Sequence, residues 1–259
     1  MRKERIDVLI VERGFAESRS QAQRLVMAGQ VRVGGQVVLK PATTVDSSAD
    51  IVLDKGPRYV SRGGEKLDAA LRRFPIEVKG RNCADVGSST GGFTDCLIQF
   101  GAKIVYAIDV GGGILHWKLR QDKRVVVMEN TNARYLERLP EAVSLVTMDV
   151  SFISVKVLLP VVSGWFPQEG GEILALIKPQ FEAGRRVTSR GAGVIRNPEV
   201  HREVLFAVMS FASRIGYEVR GLMRSPLLGP KGNTEFLAWM VYPQREISDL
   251  EILIAQVME

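Results

Sequence analysis

The chain has 259 residues, 46% of them hydrophobic and 25% charged, enough for one large α/β domain or a medium domain plus a small module. Its formal charge of +6 and pI near 9.4 favour a polyanionic partner such as nucleic acid, although basic charge alone names none. The opening "MRKERIDVLIVERG" does not read as a signal peptide, and no run approaches 18 apolar residues, so neither secretion nor a membrane span is expected and a cytoplasmic location is.

The charge is uneven: residues 1–40 hold eight Lys/Arg against four Asp/Glu, which is +4 of the +6. In this stretch residues 4–13 read as a short helix with Ile6, Leu9 and Ile10 on one face, closed by Gly14. Ser18, with Gln21 three residues later, reads as a capping box for a second helix that runs to Gly29. "VRV-GG-QVVL" then alternates around a two-residue glycine turn, the hairpin pattern. The polar side of this unit carries Arg5, Arg19, Arg24 and Arg32, which is either a solvated basic face or an RNA-facing one. "SRSQAQRLVMAGQVRVGGQVV" resembles the S4 RNA-binding domain, an α+β module whose second helix and flanks face structured RNA. Residues 1–57 are assigned to it, with Gly56-Pro57 as the boundary, residues 58–62 as linker and 63–259 as the second domain.

Beyond the linker, helices and strands alternate. A helix over 64–74 precedes a strand at 83–86, a helix at 91–101, and strands at 103–110, 124–130 and 145–150. A helix over 154–166, a strand at 172–179 and a helix at 198–216 follow, and then strands at 217–222 and 235–242 with no helix between them. This pattern predicts a seven-stranded, mostly parallel sheet covered on both faces, with an antiparallel hairpin at its edge. Cys83 and Cys96 fall on the first strand and the next helix as buried reduced thiols. His116 and His201 stand too far apart to form a metal-ligand cluster, so no metal is expected.

In such a sheet the ligand sits at the carboxyl ends of the strands, near the switch point. "DVGSSTGGF" lies there, comprising Asp85, Gly87, Ser88, Ser89, Gly91, Gly92 and Phe93. It is not G-x-G-x-x-G, and no Gly-Lys-Ser/Thr follows as a phosphate loop requires. Gly87 would permit a tight turn, and Gly91 a close approach of backbone to ligand. A carboxylate before the turn repels a pyrophosphate and suits a cation, which favours S-adenosylmethionine, a sulfonium without phosphate. The stretch resembles the methyltransferase pattern D/E-x-G-x-G-x-G, with Ser89 at the middle glycine. Asp109, 18 residues after Gly91, would hold ribose hydroxyls, with Val110 beside it; Asn130 and Asn132 would reach the adenine edge or simply turn the chain.

Four charges interrupt apolar patterns. Lys66 stands at the first helix of the domain, Asp149 and Lys178 end the fourth and fifth strands, and Glu235 begins the last. Singly, each reads more readily as a structural charge; jointly, in this order, they resemble the Lys-Asp-Lys-Glu tetrad of FtsJ-like RNA 2′-O-methyltransferases. A ribose hydroxyl is a poor nucleophile at neutral pH, so positioning, which contributes roughly 7–11 kcal/mol, should dominate, with a proton acceptor adding about 10²–10⁴-fold. Lys178 is assigned to the 2′-oxygen, as base or as orienting donor, with Asp149 holding it and also bordering the cofactor; Lys66 and Glu235 would tune charge and place the nucleotide.

Across nearly the whole chain, "RIDVLIVERG", "YVSRGGEKL", "DVGSSTGGFTDCL", "NTNAR", "MDVSFIS", "LIKPQFEAG" and "SPLLGPKGNTEFL" resemble the TlyA family of bacterial rRNA methyltransferases, often labelled hemolysins. Ribosomal RNA within ribosomal subunits is the expected partner, and a monomer is favoured with the oligomeric state left open. The resemblance itself implies cytidine 2′-O-methylation of ribosomal RNA. It also implies RNA contacts from Arg62 and Arg134, with Phe152 stacking on a flipped base. One departure is "PRYVS", where Tyr59 directly follows Arg58 and stands where the family's linker has Trp. Three rivals remain at this point: a membrane-active hemolysin, a pseudouridine synthase suggested by "EKLD", and a ribosome-binding factor that kept the fold without catalysis.

Overall fold

The computed structural model describes residues 2–54, 56–184 and 193–259. The chain divides into two compact units, Met1–Arg58 and Tyr59–Glu259.

In the first unit, β1 (Lys3–Arg5) leads into α1 (Ile6–Glu12) and α2 (Arg19–Met27), followed by β2 (Val31–Val33), β3 (Gln36–Val37), β4 (Thr44–Asp46) and β5 (Ile51–Leu53). The first helix begins two residues later than its periodicity suggests, because residues 3–5 pair antiparallel with β4. Ser18 Oγ caps α2 by accepting from the Gln21 amide at 3.3 Å. The Gln21 side chain takes the amide of Glu17 rather than that of Ser18, so the reciprocal half of the capping box is shifted by one residue. Gly34 and Gly35, at φ +56° and +82°, form the β2–β3 turn that only positive-φ residues make without strain. Ile6, Ile10, Ala22, Val26 and Val31 are fully buried between the helices and the β3-β2-β5 sheet.

The second unit contains α3 (Gly63–Arg73), β6 (Asn82–Val86), α4 (Gly92–Gln99), β7 (Ile104–Ile108), α5 (Trp117–Arg120), β8 (Val125–Met128) and β9 (Leu145–Met148). It continues with α6 (Val155–Val162), β10 (Gly171–Ile177), α7 (Pro179–Glu182), α8 (Pro198–Arg214), β11 (Glu218–Arg224), β12 (Phe236–Tyr242) and α9 (Leu250–Met258). Seven strands form one sheet in the order β11-β12-β10-β9-β6-β7-β8. The pairs from β10 through β8 are parallel, and β12 runs antiparallel to both neighbours. The expected antiparallel hairpin lies at one edge of the sheet, with β11 outermost and β12 joining it to β10. The helix α9 was not foreseen from the sequence.

Side-chain alternation along β6 and β7 divides the core. Ala84, Val86, Tyr106 and Ile108 face one layer, with Leu159 of α6 and Leu205 and Met209 of α8. Cys83, Val105 and Ala107 face the other, with Leu67 and Leu71 of α3 and Cys96 and Leu97 of α4. Tyr59, only 3% exposed, belongs to this second layer and donates its hydroxyl to Asp68 Oδ1 at 2.8 Å. Its ring lies so close to α3 that a Cβ at Gly64 would stand 2.3 Å from Tyr59 Cγ.

Candidate active site

The chain reverses direction across the sheet between β6 and β9, the switch point at which doubly wound sheets bind ligands. The loop there is built by backbone constraint. Gly87 sits at φ +80°, and a Cβ on it would lie 2.7 Å from the carbonyl oxygen of Asp149. Ser89, in the place where relatives of the pattern carry glycine, adopts φ +48°, a left-handed conformation that explains the usual glycine. Its amide donates to Asp109 Oδ2 at 2.8 Å, while Gly111 N donates to Asp109 Oδ1 at 2.8 Å. Asp109 thereby joins the loop to the end of β7.

Two sequence expectations change here. Gly91, at φ +98°, serves helix packing and not ligand approach, because a Cβ would stand 2.2 Å from Leu119 Cδ1 and 2.9 Å from Leu115 Cδ1. Gly92 admits Ser61 and α3, a Cβ on it falling 2.3 Å from Ser61 Oγ, and it also lines the cavity beside Ser88. Asp85 does not face a ligand. Its side chain is wholly buried beneath the loop, accepting from Thr94 Oγ1 at 2.6 Å and Thr147 Oγ1 at 3.1 Å. On β6 it shares the parity of Cys83 and so points toward α4. Burial pushes its carboxyl up to about 7, against the opposing pull of the two threonine hydroxyls.

A cleft runs from this loop across the ends of β7 and β9. Its lining includes Ile108, Asp109, Val110, Ile114, Asn132, Ala133, Asp149 and Ile153. Its charged lining residues are Asp109 and Asp149, the second paired with Lys178, and no Lys or Arg lines it, so the acceptor set suits a cationic ligand with an apolar planar group and not a phosphate. Of the acids near the loop, Asp109 and not Asp85 is the one that faces the cleft without a cationic partner among the described residues. Ser88 is 5% exposed, and its Oγ has no partner among the described residues, a free hydroxyl in the cradle where the adjoining cavity begins. Phe93 is buried under the same cavity. Of the two asparagines, Asn132 lines the cleft and caps the turn at 133–135 by accepting from Arg134 N at 3.1 Å. Asn130, at φ +52°, packs on Gly112 outside the lining.

The four candidate catalytic residues meet around one further cavity that opens beside the loop. Lys66 Nζ donates to Glu235 Oε2 at 2.5 Å, and Lys178 Nζ lies 2.5 Å from Asp149 Oδ1. Parallel strands β9 and β10 deliver Asp149 and Lys178 at their carboxyl ends. The antiparallel β12 delivers Glu235 at its start, which lies at the same edge of the sheet. Lys178 also donates to Ser151 Oγ at 3.0 Å, so among the described residues two of its three ammonium N–H groups are engaged and the third is unused. Ser151 was missed in the sequence; a hydroxyl two residues after a strand-end acid was its signal.

Phe152 stands at the mouth of the same cavity, 91% exposed and at φ +65°, a strained conformation for an aromatic residue. Its ring centroid is 5.0 Å from that of Phe181, which in turn lies 6.0 Å from Lys178 Nζ. Arg62 is exposed on the wall of the cavity that holds Ser88. Arg134 lies outside the three cavities, stacked 5.6 Å over the exposed ring of Tyr135. In the first unit, Arg24 is exposed and reaches Ser20 Oγ at 3.5 Å, whereas Arg5 and Arg19 both bind Asp7.

Glu129, directly after β8, was also missed. It accepts from the amides of Gly113, Ile114 and Leu115 at 2.8, 3.0 and 3.1 Å and pairs with Arg120. Arg120 first, and then the amides, hold its carboxyl down at about 2. This single carboxylate fixes the segment that presents Ile114 to the cleft.

Comparison with known proteins adds to this geometry. Residues 59–242 match the FtsJ-like methyltransferases and residues 4–51 match the S4 domain. YqxC of Bacillus subtilis, which bears an rRNA methyltransferase name, is 48% identical over 249 residues, covering 93% of this chain and 87% of its own. The 16S/23S rRNA (cytidine-2′-O)-methyltransferase TlyA of Mycobacterium tuberculosis is 46% identical over 245 residues, covering 92% and 90%. A solved structure from Streptococcus thermophilus that bears a hemolysin name superposes with a TM-score of 0.73 at 43% identity, covering 99% of this chain and 96% of that one.

Proposed function

Since the chain belongs to the TlyA family, an S4 domain joined to an FtsJ-like methyltransferase, we infer that it transfers a methyl group from S-adenosylmethionine to the 2′-hydroxyl of a cytidine in ribosomal RNA. The observation that carries this reading is the convergence of Lys66–Glu235 and Lys178–Asp149 on one cavity beside a cation-suited, phosphate-averse cleft. Bound there, the cofactor supplies an electrophilic methyl group. The cleft residues Asp109, Val110, Ile114 and Asn132 and the loop from Gly87 to Ser89 are the ones that would hold it.

The chain's own side chains then have separate tasks. Lys178, fixed by Asp149 and Ser151, offers its remaining N–H to the ribose 2′-oxygen and orients it. When neutral, its Nζ is placed to accept the hydroxyl proton. Lys66 and Glu235 set the charge of the cavity wall. Phe152, with Phe181 behind it, gives a displaced base an aromatic surface, worth about 1–3 kcal/mol of stacking. Arg62 and Arg134 steady the backbone through phosphate contacts. The S4 domain recruits structured rRNA, and the substrate is rRNA within a ribosomal subunit. No described helix is long and apolar enough to cross a membrane.

The direct test is transfer of tritium from labelled cofactor to isolated 30S, 50S and 70S particles, followed by mapping of the modified ribose. Label fixed at a cytidine 2′-oxygen is the expected result. Cofactor binding without transfer to any particle would favour a non-catalytic binding factor.

A further inference from the structure

Asp7 lies on the buried side of α1 among Ile6, Leu9 and Ile10, and its side chain has no solvent exposure. A carboxylate in that position is costly unless it is fully matched. Four hydrogen bonds reach it. Arg5 Nε and Nη2 take one oxygen each at 3.0 Å, and Arg19 Nε and Gln23 Nε2 both meet Oδ2 at 3.0 Å. The donors come from the end of β1 and from α2, so one acid holds together arginines supplied by two elements.

The match goes beyond what neutralisation requires. One fork from Arg5 already balances the charge of Asp7, and Arg19 adds a second cation. Both guanidinium groups stay half open to solvent, with 42% and 54% of the side chains exposed. Each guanidinium has five N–H bonds; Arg5 uses two on Asp7 and Arg19 one, so among the described residues three and four remain unengaged. Net charge of +1, fixed planes and unengaged donors on half-exposed side chains are what a phosphate oxygen pair requires.

We propose that Arg5 and Arg19 form a preorganised phosphodiester clamp in which Asp7 is the positioning residue, locking both guanidinium planes before RNA arrives. The inference rests on the rRNA-binding reading and adds the residue that sets the geometry of this contact. Locking removes the rotamer entropy that two free arginines lose on binding.

The positioning role has a signature opposite in sign to simple electrostatics. Asp7→Asn removes a negative charge beside the RNA site, so if the arginines acted only as diffuse charge, binding would tighten. A lost clamp weakens it instead, on the order of tenfold, the loss of one charge-assisted contact. Filter binding of the full chain to transcribed 16S and 23S rRNA over a range of salt measures this, with thermal unfolding as the check on folding. Arg5→Lys and Arg19→Lys keep the charge but lose the fork; each is expected to weaken binding several-fold with the salt slope unchanged. If Asp7→Asn unfolds the first unit, these two variants decide the matter. Asp7→Asn binding as tightly as wild type or tighter, or unaltered binding by both lysine variants, overturns the clamp alone. Failure of the wild-type chain to bind either rRNA removes the clamp together with the reading beneath it.

Discussion

The ammonium of Lys66 in α3 and the carboxylate of Glu235 at the entry to β12 meet at 2.5 Å, although 169 positions separate them in sequence. Only 10% and 1% of the two side chains are exposed. Each charge therefore depends on the other, because neither has enough water to be solvated alone.

Removing one partner should destabilise more than removing both. Lys66→Met strands the Glu235 carboxylate and is expected to cost toward the lower end of the ~3–5 kcal/mol seen when buried pairs are broken, since the cavity admits some water. The double variant Lys66→Met/Glu235→Leu should recover most of that loss while methyl transfer stays abolished. Denaturant unfolding of both variants, alongside the tritium assay, separates the two effects.

Lys178→Ala should lower single-turnover methylation by about 10²–10⁴-fold, the range of a lost proton acceptor, while cofactor affinity measured by calorimetry changes little. Near-wild-type turnover in this variant would remove Lys178 from the chemistry.

Asp85 gives a pH prediction whose sign is fixed by burial. Its carboxyl is raised to about 7 in the folded chain from an ordinary 3.8, so the native state holds a proton that the unfolded chain has released between those values. Its contribution to stability is thus fully present below pH 3.8 and is lost as pH rises through about 7. Asp85→Asn cannot ionise and escapes that loss. The difference in melting temperature, variant minus wild type, should grow steadily between pH 4 and pH 7.5 and then level off. A difference that stays flat across that range would show that the carboxyl titrates normally.

Glu129→Gln keeps the size of the side chain but removes the charge that gathers three consecutive amides and Arg120. Loosening the segment behind Ile114 should raise the cofactor dissociation constant roughly tenfold, as for a lost charge-assisted hydrogen bond. At saturating cofactor, methylation should stay close to wild type, which distinguishes positioning from catalysis.

The elements and the tetrad were legible because apolar periodicity and strand-end charges are local properties. Lys178 and Asp149 could be found by counting strands, and the sheet's parallel direction then put them at one edge. Asp85 was misread because its place before the turn is visible in sequence, but the direction of its side chain depends on strand parity relative to Cys83 and on Thr147 from another strand. Gly91 was misread for a related reason: the atoms that forbid its Cβ belong to Leu115 and Leu119, which the loop meets only in three dimensions. Asp7 and Glu129 escaped notice as single acids in charged stretches. For Asp7 a signal existed, since the α1 spacing places it beside Ile6 and Ile10, where an acid needs buried partners. For Glu129 there was none, because its donors are main-chain amides.

The insertion of β12 between β10 and β11 also governs the order in which a ribosome-borne chain can mature. Strand β11 has no pairing partner other than β12 among the described strands, and Lys66 emerges 169 residues ahead of its counter-ion. A nascent chain can therefore pair β6 to β9 early, yet it cannot bring the four candidate catalytic residues together until β12 is made. With the tetrad in the role proposed above, methylating capacity arrives late in synthesis, after the S4 module has been available to fold.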